Sequence, residues 1–575
     1  MRFFIAWGFW AISLASAMAA DPPNVLLVMT DDQGFGDLGC HGNPVVQTPH
    51  LDAFAKESVW LKNFSVSPVC SPTRSSLLTG KYNYRTGVVD TYLGRSLMRP
   101  DVRTLPEMLA ASGYRTGLFG KWHLGDNYPL RPEDRGFQRT LWCQGGGIAQ
   151  PSDPPEGGSY FDPILRKNGQ EFRAKGYCTD VFTDGAIDFI QKADATKPFF
   201  AYVAYNAPHG PYQVDAKLAA TYAKRDLTPA GFPKIGQPWA GPKVAVDEIA
   251  KAYAMIENID ANFGRMMKAL ADRNLADNTL VIFLTDNGPG GIRFNSGLRN
   301  RKGTVYEGGI RVPCYVRWPK MLPAGSSVVE QTAHIDLTPT ILEATKSAIP
   351  SDVDGRSLLP LLRGDAKVWP ERTLYFQWHR GDVPEKFRAF AAKGPKYKLV
   401  QALGAGDGIG KWQPKYELFD ISNDPFEQHD LAAAMPAEVE NLKAGYARWF
   451  ADVTQLGFRP ARMILGHEKE NPSRLSRQDW RGPNAGWKPE SQGQWHATIA
   501  VAGEYRVTIR SKSPFTGYQF VCGDTKVDKA NVVNANITTI NVPLTAGDAI
   551  VEATVDTKGV TRGADYVEFE RIVKP

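Results

Sequence analysis

Several runs of consecutive apolar residues each stop abruptly at a polar or charged residue. Asn24-Val25-Leu26-Leu27-Val28-Met29-Thr30 meets Asp31-Asp32-Gln33-Gly34. Phe199-Phe200-Ala201-Tyr202-Val203-Ala204-Tyr205 meets Asn206-Ala207-Pro208-His209, and Thr279-Leu280-Val281-Ile282-Phe283-Leu284-Thr285 meets Asp286-Asn287-Gly288. None alternates polar with apolar positions, which predicts strands buried on both faces, as in a parallel sheet. Helical stretches lie between them. Ile249, Tyr253, Ile256, Ile259 and Phe263 recur at near-helical spacing between Val246 and about Arg273. Thr48 caps a stretch reaching about Glu57, Leu105 to Ser112 stops at Gly113, and Val181 to Lys192 is a further helix. The pattern predicts an α/β fold: a large mixed, mostly parallel sheet with helices on both faces. In such a sheet the carboxyl ends of the strands share one edge, so polar residues distant in sequence meet in one crevice.

The texture changes near Arg372. Leu374 to Trp378, Phe387 to Ala391, Lys396 to Val400 and Tyr416 to Asp420 predict short strands, and Pro436 to Asp452 a helix. Beyond Thr454, alternating stretches such as Gln494 to Ile499, Gly503 to Ile509, Asn536 to Val542, Ala549 to Val555 and Tyr566 to Val573 predict a β sandwich. The expected division is a signal peptide at 1–20, an α/β domain at 21–370, a small antiparallel sheet with one helix at 371–455, and an all-β tail at 456–575. The first 20 residues combine a basic start, the apolar run Phe3 to Leu14 and the small-x-small site Ala17-Met18-Ala19. They predict export to the periplasm or the medium, with no membrane attachment after cleavage.

Composition adds little. Of 575 residues 22% are charged, and the net charge of +6 is spread without a basic run, which argues against a nucleic-acid partner. The six cysteines are too few and too scattered for a disulfide framework, and none shows zinc spacing. The adjacent acids Asp31 and Asp32 repel each other at a strand end, and a cation is the simplest compensation.

The most specific stretch is Cys70-Ser71-Pro72-Thr73-Arg74, followed by Ser75-Ser76-Leu77-Leu78-Thr79-Gly80. Pro72 suits a first helical turn and Gly80 a helix end, so Cys70 falls at or just before a helix N-terminus, where anions are favoured. This stretch resembles the formylglycine motif of the type I sulfatases of the alkaline phosphatase superfamily. Further elements match that family in order: Asp31-Asp32-Gln33-Gly34, Gly120-Lys121-Trp122-His123, Pro208-His209, Asp286-Asn287-Gly288 and Asn300-Arg301-Lys302-Gly303. The resemblance implies that a maturation enzyme oxidises Cys70 to formylglycine (3-oxoalanine), whose hydrate is the nucleophile. It implies that Asp31, Asp32, Asp286, Asn287 and the matured Cys70 side chain bind one calcium ion. It further implies that Arg74 aids attack, Lys121 and Lys302 hold the sulfate, His209, alone or with Lys302, protonates the leaving alcohol and His123 removes a proton for product release. The implied substrate is a sulfate monoester, a sulfated carbohydrate or an aryl sulfate. The Gly- and Pro-rich stretch 145–160 and Trp378, His379 and Arg380 are candidate substrate-side residues. Two other readings stand beside this one: a phosphonate monoester or phosphodiester hydrolase of the same superfamily, and a non-catalytic glycan-binding protein on the same scaffold.

Overall fold

Alternate residues of the first strand feed two different cores. Val25, Leu27 and Met29 pack on one face, with Leu77, Leu78, Leu105 and Ile341. Leu26 and Val28 pack on the other, with Phe54, Phe182, Ile259 and Phe263. This two-sided burial is what an uninterrupted apolar run requires. In this computed structural model, residues 22–573 are described except 195, 240, 242–243, 407–411 and 531–534, so the expected signal peptide lies outside the described residues.

Among the described residues, the largest sheet comprises β1 (Asn24–Thr30), β2 (Val59–Ser65), β3 (Arg115–Lys121), β4 (Arg139–Cys143), β5 (Ile164–Lys167), β6 (Gln170–Arg173), β7 (Phe199–Ala204), β8 (Thr279–Thr285), β9 (Cys314–Arg317) and β10 (Ser327–Ala333). Its order is β10-β2-β9-β8-β1-β7-β3-β4-β5-β6. The central block β8-β1-β7-β3-β4 is parallel, whereas β9, β5 and β6 join antiparallel. The expected mixed, mostly parallel α/β sheet is therefore present. Register decides what the shared edge carries. Met29 lies opposite Ala204, Thr30 opposite Thr285 and Gly120 opposite Ala204. The four strands end nearly level, so Asp31 and Asp286 emerge side by side with Lys121 one residue lower.

A second, antiparallel sheet is formed by Leu374–Gln377, Phe390–Lys393, Tyr397–Gln401 and Glu417–Asp420. Val439, Leu442, Tyr446 and Trp449 of the helix Pro436–Val453 pack against it. It is tied to the first sheet by buried charge. Glu307 receives Lys393 Nζ at 2.9 Å and Lys398 Nζ at 2.8 Å, and Lys398 also reaches Glu427 at 2.8 Å. Burial pushes the Lys393 ammonium down to about 8. Removing one partner from such a buried network is costly, because it leaves an uncompensated charge. The tail forms two antiparallel-rich sheets around Trp480, Trp495, Phe520, Phe569 and their neighbours.

Several boundaries differ from expectation. The third strand runs as far as Lys121, so Lys121 leaves a rigid strand end. The strand expected from Phe387 begins only at Phe390, because Phe387 and Ala389 hold left-handed φ values of 65° and 45°. Tail strands Met463–Leu465, Ser473–Ser476, Gly517–Cys522 and Thr525–Lys529 are additional. Among the described residues, no helix is long and apolar enough to cross a membrane.

Candidate active site

The helix Cys70–Thr79 is wholly buried and is closed by Gly80 in the left-handed conformation at φ 70°. Cys70 is its first residue and only 2% exposed, and burial raises its thiol pKa first of all. One turn on, Arg74 is fully buried; its guanidinium donates to Asp286 at 2.8 Å and to the Lys121 carbonyl at 3.2 Å, and lies 3.7 Å from Asp31. A helix too polar to be amphipathic is buried here because its polar residues face partners supplied by the strand ends.

Those strand ends bring the expected acids together. The candidate ligand atoms of Asp31, Cys70 and Asp286 lie within 4.8 Å of one another, as do those of Asp31, Asp32 and His209. The Asp32 N–H donates to Asp286 Oδ1 at 3.1 Å, and Asn287 Nδ2 donates to Asp32 Oδ1 at 2.8 Å. Asp32 holds a left-handed φ of 63°, a strain characteristic of functional sites. Cations answer the acids: the Lys121 ammonium pairs with Asp31, and Lys302 Nζ lies 2.6 Å from Asp32. Burial alone would raise both carboxyl pKa values; Lys121 beside Asp31 and Lys302 beside Asp32 hold them below the ordinary range. Asp286 goes the other way, pushed up to about 7 by burial and then by the charge of Asp31. Three buried acids this close leave one of them poorly ionised unless more positive charge arrives.

The donor set fits a hard divalent cation. Asp31 Oδ1 and Asn287 Oδ1 are buried with no hydrogen-bond partner among the described residues, a costly state that a ligated ion relieves. Every group except the unmodified thiol presents oxygen, which suits calcium better than zinc. Three carboxylates face three fixed cations, Arg74, Lys121 and Lys302. A dication together with the sulfate dianion released as product would leave that sum unchanged.

Two histidines flank the cluster. His209 Nε2 lies 3.8 Å from Asp32 Oδ2, and its Nδ1 is 2.6 Å from the Gly210 carbonyl, which can only accept. Nδ1 therefore carries hydrogen, and Nε2 is the atom that gains or loses a proton. His123, at a left-handed φ of 62°, places Nε2 2.7 Å from the Thr91 carbonyl, so Nε2 carries hydrogen. Its Nδ1 is buried and unpartnered. Burial, then the Lys121 charge, lower its pKa well below the usual histidine value, so the ring is a neutral acceptor at Nδ1.

Other candidates fall nearby or elsewhere. Gly146 of the Gly- and Pro-rich stretch abuts the site: a Cβ there would lie 2.3 Å from Gln150 Oε1 and 2.9 Å from His123 Nε2. Trp378 Nε1 donates to Asp90 at 3.0 Å and Arg380 pairs with Asp90 at 2.6 Å, while the Trp378 ring lies 3.2 Å from the position of a Cβ on Gly303, beside Lys302. His379 turns away; its Nδ1 donates to the Arg380 carbonyl at 2.8 Å. His50 is structural, packed against Gly264. All six cysteines are free thiols. Sequence reasoning missed Thr91, which acts through its backbone and so leaves no side-chain signal, and Gln478, which comes from the tail.

Comparison with known proteins adds family-level information. The sulfatase family model matches residues 23–347, and a model of the N-sulphoglucosamine sulphohydrolase C-terminal region matches 299–445. Arylsulfatase A of Bos taurus is 31% identical over 80% of this chain and 94% of its own length. N-acetylglucosamine-6-O-sulfatase of Bacteroides thetaiotaomicron is 26% identical over 78% of this chain and 88% of its own. The solved structure of Ps i-CgsB in complex with k-i-k-neocarrahexaose superposes with a TM-score of 0.64 at 27% identity, covering 76% of this chain and 95% of that one.

Proposed function

The chain belongs to the sulfatase family of sulfuric ester hydrolases, and from that premise we propose that it is an exported enzyme that cleaves sulfate monoesters of a sulfated carbohydrate at Cys70, matured to formylglycine and assisted by calcium. The observation that carries the reading is the meeting of Cys70 with Asp31 and Asp286, whose candidate ligand atoms lie within 4.8 Å of one another although the residues are far apart in sequence. Asp31, Asp32, Asp286 and Asn287 would hold the ion, which supplies Lewis-acid charge to the sulfate and to the group at position 70. Hydrated formylglycine supplies a nucleophilic hydroxyl and a second hydroxyl for product release.

The chain's own residues do the rest. Arg74, fixed by Asp286 and the Lys121 carbonyl, holds permanent positive charge one helical turn from position 70. Lys121 and Lys302 offer ammonium groups to the sulfate oxygens, where negative charge grows in the transition state. His209, once protonated at Nε2, gives that proton to the departing alcohol oxygen. Burial lowers its pKa, so the proton is readily surrendered. His123 Nδ1, kept free because Thr91 holds Nε2–H, accepts a proton from the side chain at position 70. Carbohydrate as the substrate class is supported by the glycan-directed names of relatives such as the Bacteroides thetaiotaomicron enzyme.

Maturation is tested by intact mass of the Cys70 peptide and function by sulfate release. If mature protein releases no sulfate from an aryl sulfate or from any defined sulfated sugar, the reading fails. The His209 role carries its own expectation. His209→Ala should slow hydrolysis of a sugar sulfate, with its poor leaving group, by about 10²–10⁴-fold. It should slow an activated nitrophenyl sulfate far less, because that alcohol leaves without a proton. Equal losses on both substrates would remove His209 from the proton-donor role.

A further inference from the structure

The β tail reaches the site through Gln478. Gln478 Nε2 donates at 2.9 Å to the Thr91 carbonyl, the same oxygen that takes the His123 Nε2 hydrogen at 2.7 Å. The backbone follows: Gly94 N donates to the Gln478 carbonyl at 3.0 Å. The tail is thus seated against the segment that orients His123.

Beside this contact lies a cleft of about 710 Å³ between the loop around Gln150 and the tail. Gln150 and Asp153 line one side; Trp487, Arg510, Lys512 and Tyr566 line the other. Gln150 joins the cleft to the catalytic cluster, since its Oε1 and His123 Nε2 both crowd the space beside Gly146. Trp487 is 40% exposed and is held edge-on to Tyr92 at 5.2 Å between ring centroids, leaving an aromatic surface toward solvent. Lys512 is exposed and makes no ion pair among the described residues, and Arg510 Nε is 3.0 Å from Glu568 with much of its side chain still exposed. Two acids also line the cleft: the Asp153 carboxyl accepts the Ala149 N–H and is pushed up to about 7 by burial, and the exposed Glu156 lies 3.9 Å from Arg173.

A partly exposed ring next to the exposed Lys512 ammonium suits a sugar chain bearing acidic groups. The ring stacks on a pyranose face, and Lys512 meets sulfate or carboxylate. The volume falls within the range of sites that enclose a ligand larger than a single sugar. Resting on the sulfatase reading above, we propose that this cleft binds the continuation of a sulfated oligosaccharide beyond the unit whose ester is cleaved, making the β tail part of the substrate site.

The test uses the full-length Cys70→Ala protein, which cannot turn substrate over, and calorimetric binding of hexasaccharides of chondroitin sulfate, heparan sulfate and carrageenan against the matching disaccharides. At least one hexasaccharide should bind about tenfold tighter than its disaccharide, and Trp487→Ala and Lys512→Ala should each remove most of that gain. Both positions are on the surface, so the variants should fold. The proposal is overturned if none of the three hexasaccharides gains over its disaccharide, or if the gain survives both substitutions. Sulfate release from an aryl sulfate by mature protein is a separate measurement. Its failure would sink the hydrolytic reading while leaving a hexasaccharide gain in place.

Discussion

Replacing Cys70 with serine should lower steady-state sulfate release by about 10⁴-fold or more, after at most one equivalent has been transferred. Serine fits the buried space of a residue only 2% exposed, so packing should survive. Arg74, Lys121 and Lys302 would still gather a sulfate around position 70. A serine hydroxyl can take the sulfuryl group, but it has no second hydroxyl to re-form a carbonyl and expel it. Mass spectrometry of the peptide containing position 70 should therefore find sulfate attached in the serine variant and none in Cys70→Ala. Near-native turnover in Cys70→Ser would show that position 70 is not the nucleophile, whatever the likeness of its motif.

Exchanging Asp31 for asparagine should weaken calcium binding about 100-fold or more, with a matching loss of activity. For the native protein, calcium at about 100 times its dissociation constant should add roughly 2.7 kcal/mol of stability and raise Tm. The variant should lose that calcium-dependent rise. Ion-free stability should also fall, because Lys121 and Arg74 would keep their buried charge while Asp31, which faces both, no longer carries one. Removing one partner of a buried pair costs about 3–5 kcal/mol. The discriminating readout is therefore the difference in Tm with and without calcium, not Tm itself. An equal calcium-induced shift in both proteins would move the ion away from Asp31.

Both expectations start from groups that are visible in the sequence, and the reasons are local. Uninterrupted runs such as Val25 to Met29 can be buried only with cover on both faces, and that dictates an α/β sheet. Acids placed directly after such runs must lie at a sheet edge, so Asp31 and Asp286 were legible as neighbours before any coordinate was known. Cys70, Pro72, Arg74 and Gly80 declared a helix start and end by the same short-range rules. Boundaries were less legible where backbone conformation overrode composition, as at Phe387 and Ala389, whose left-handed φ values delay a strand that the side chains favour.

The amino-acid order alone thus determined the layered sheet, the helix bearing Cys70 and the set of acids and cations able to meet near it. Tertiary structure alone decided which partner each of those groups faces: Lys121 on Asp31, Lys302 on Asp32, Arg74 on Asp286, and His123 turned by the Thr91 carbonyl so that Nδ1 stays open. It also decided that Gln478 and Trp487 of the tail come within reach of that histidine's loop. The physical reason is range. Burial patterns and turn preferences are set by neighbours in the chain, whereas strand register and domain docking are set by contacts between segments hundreds of residues apart, which leave no periodic trace in the sequence.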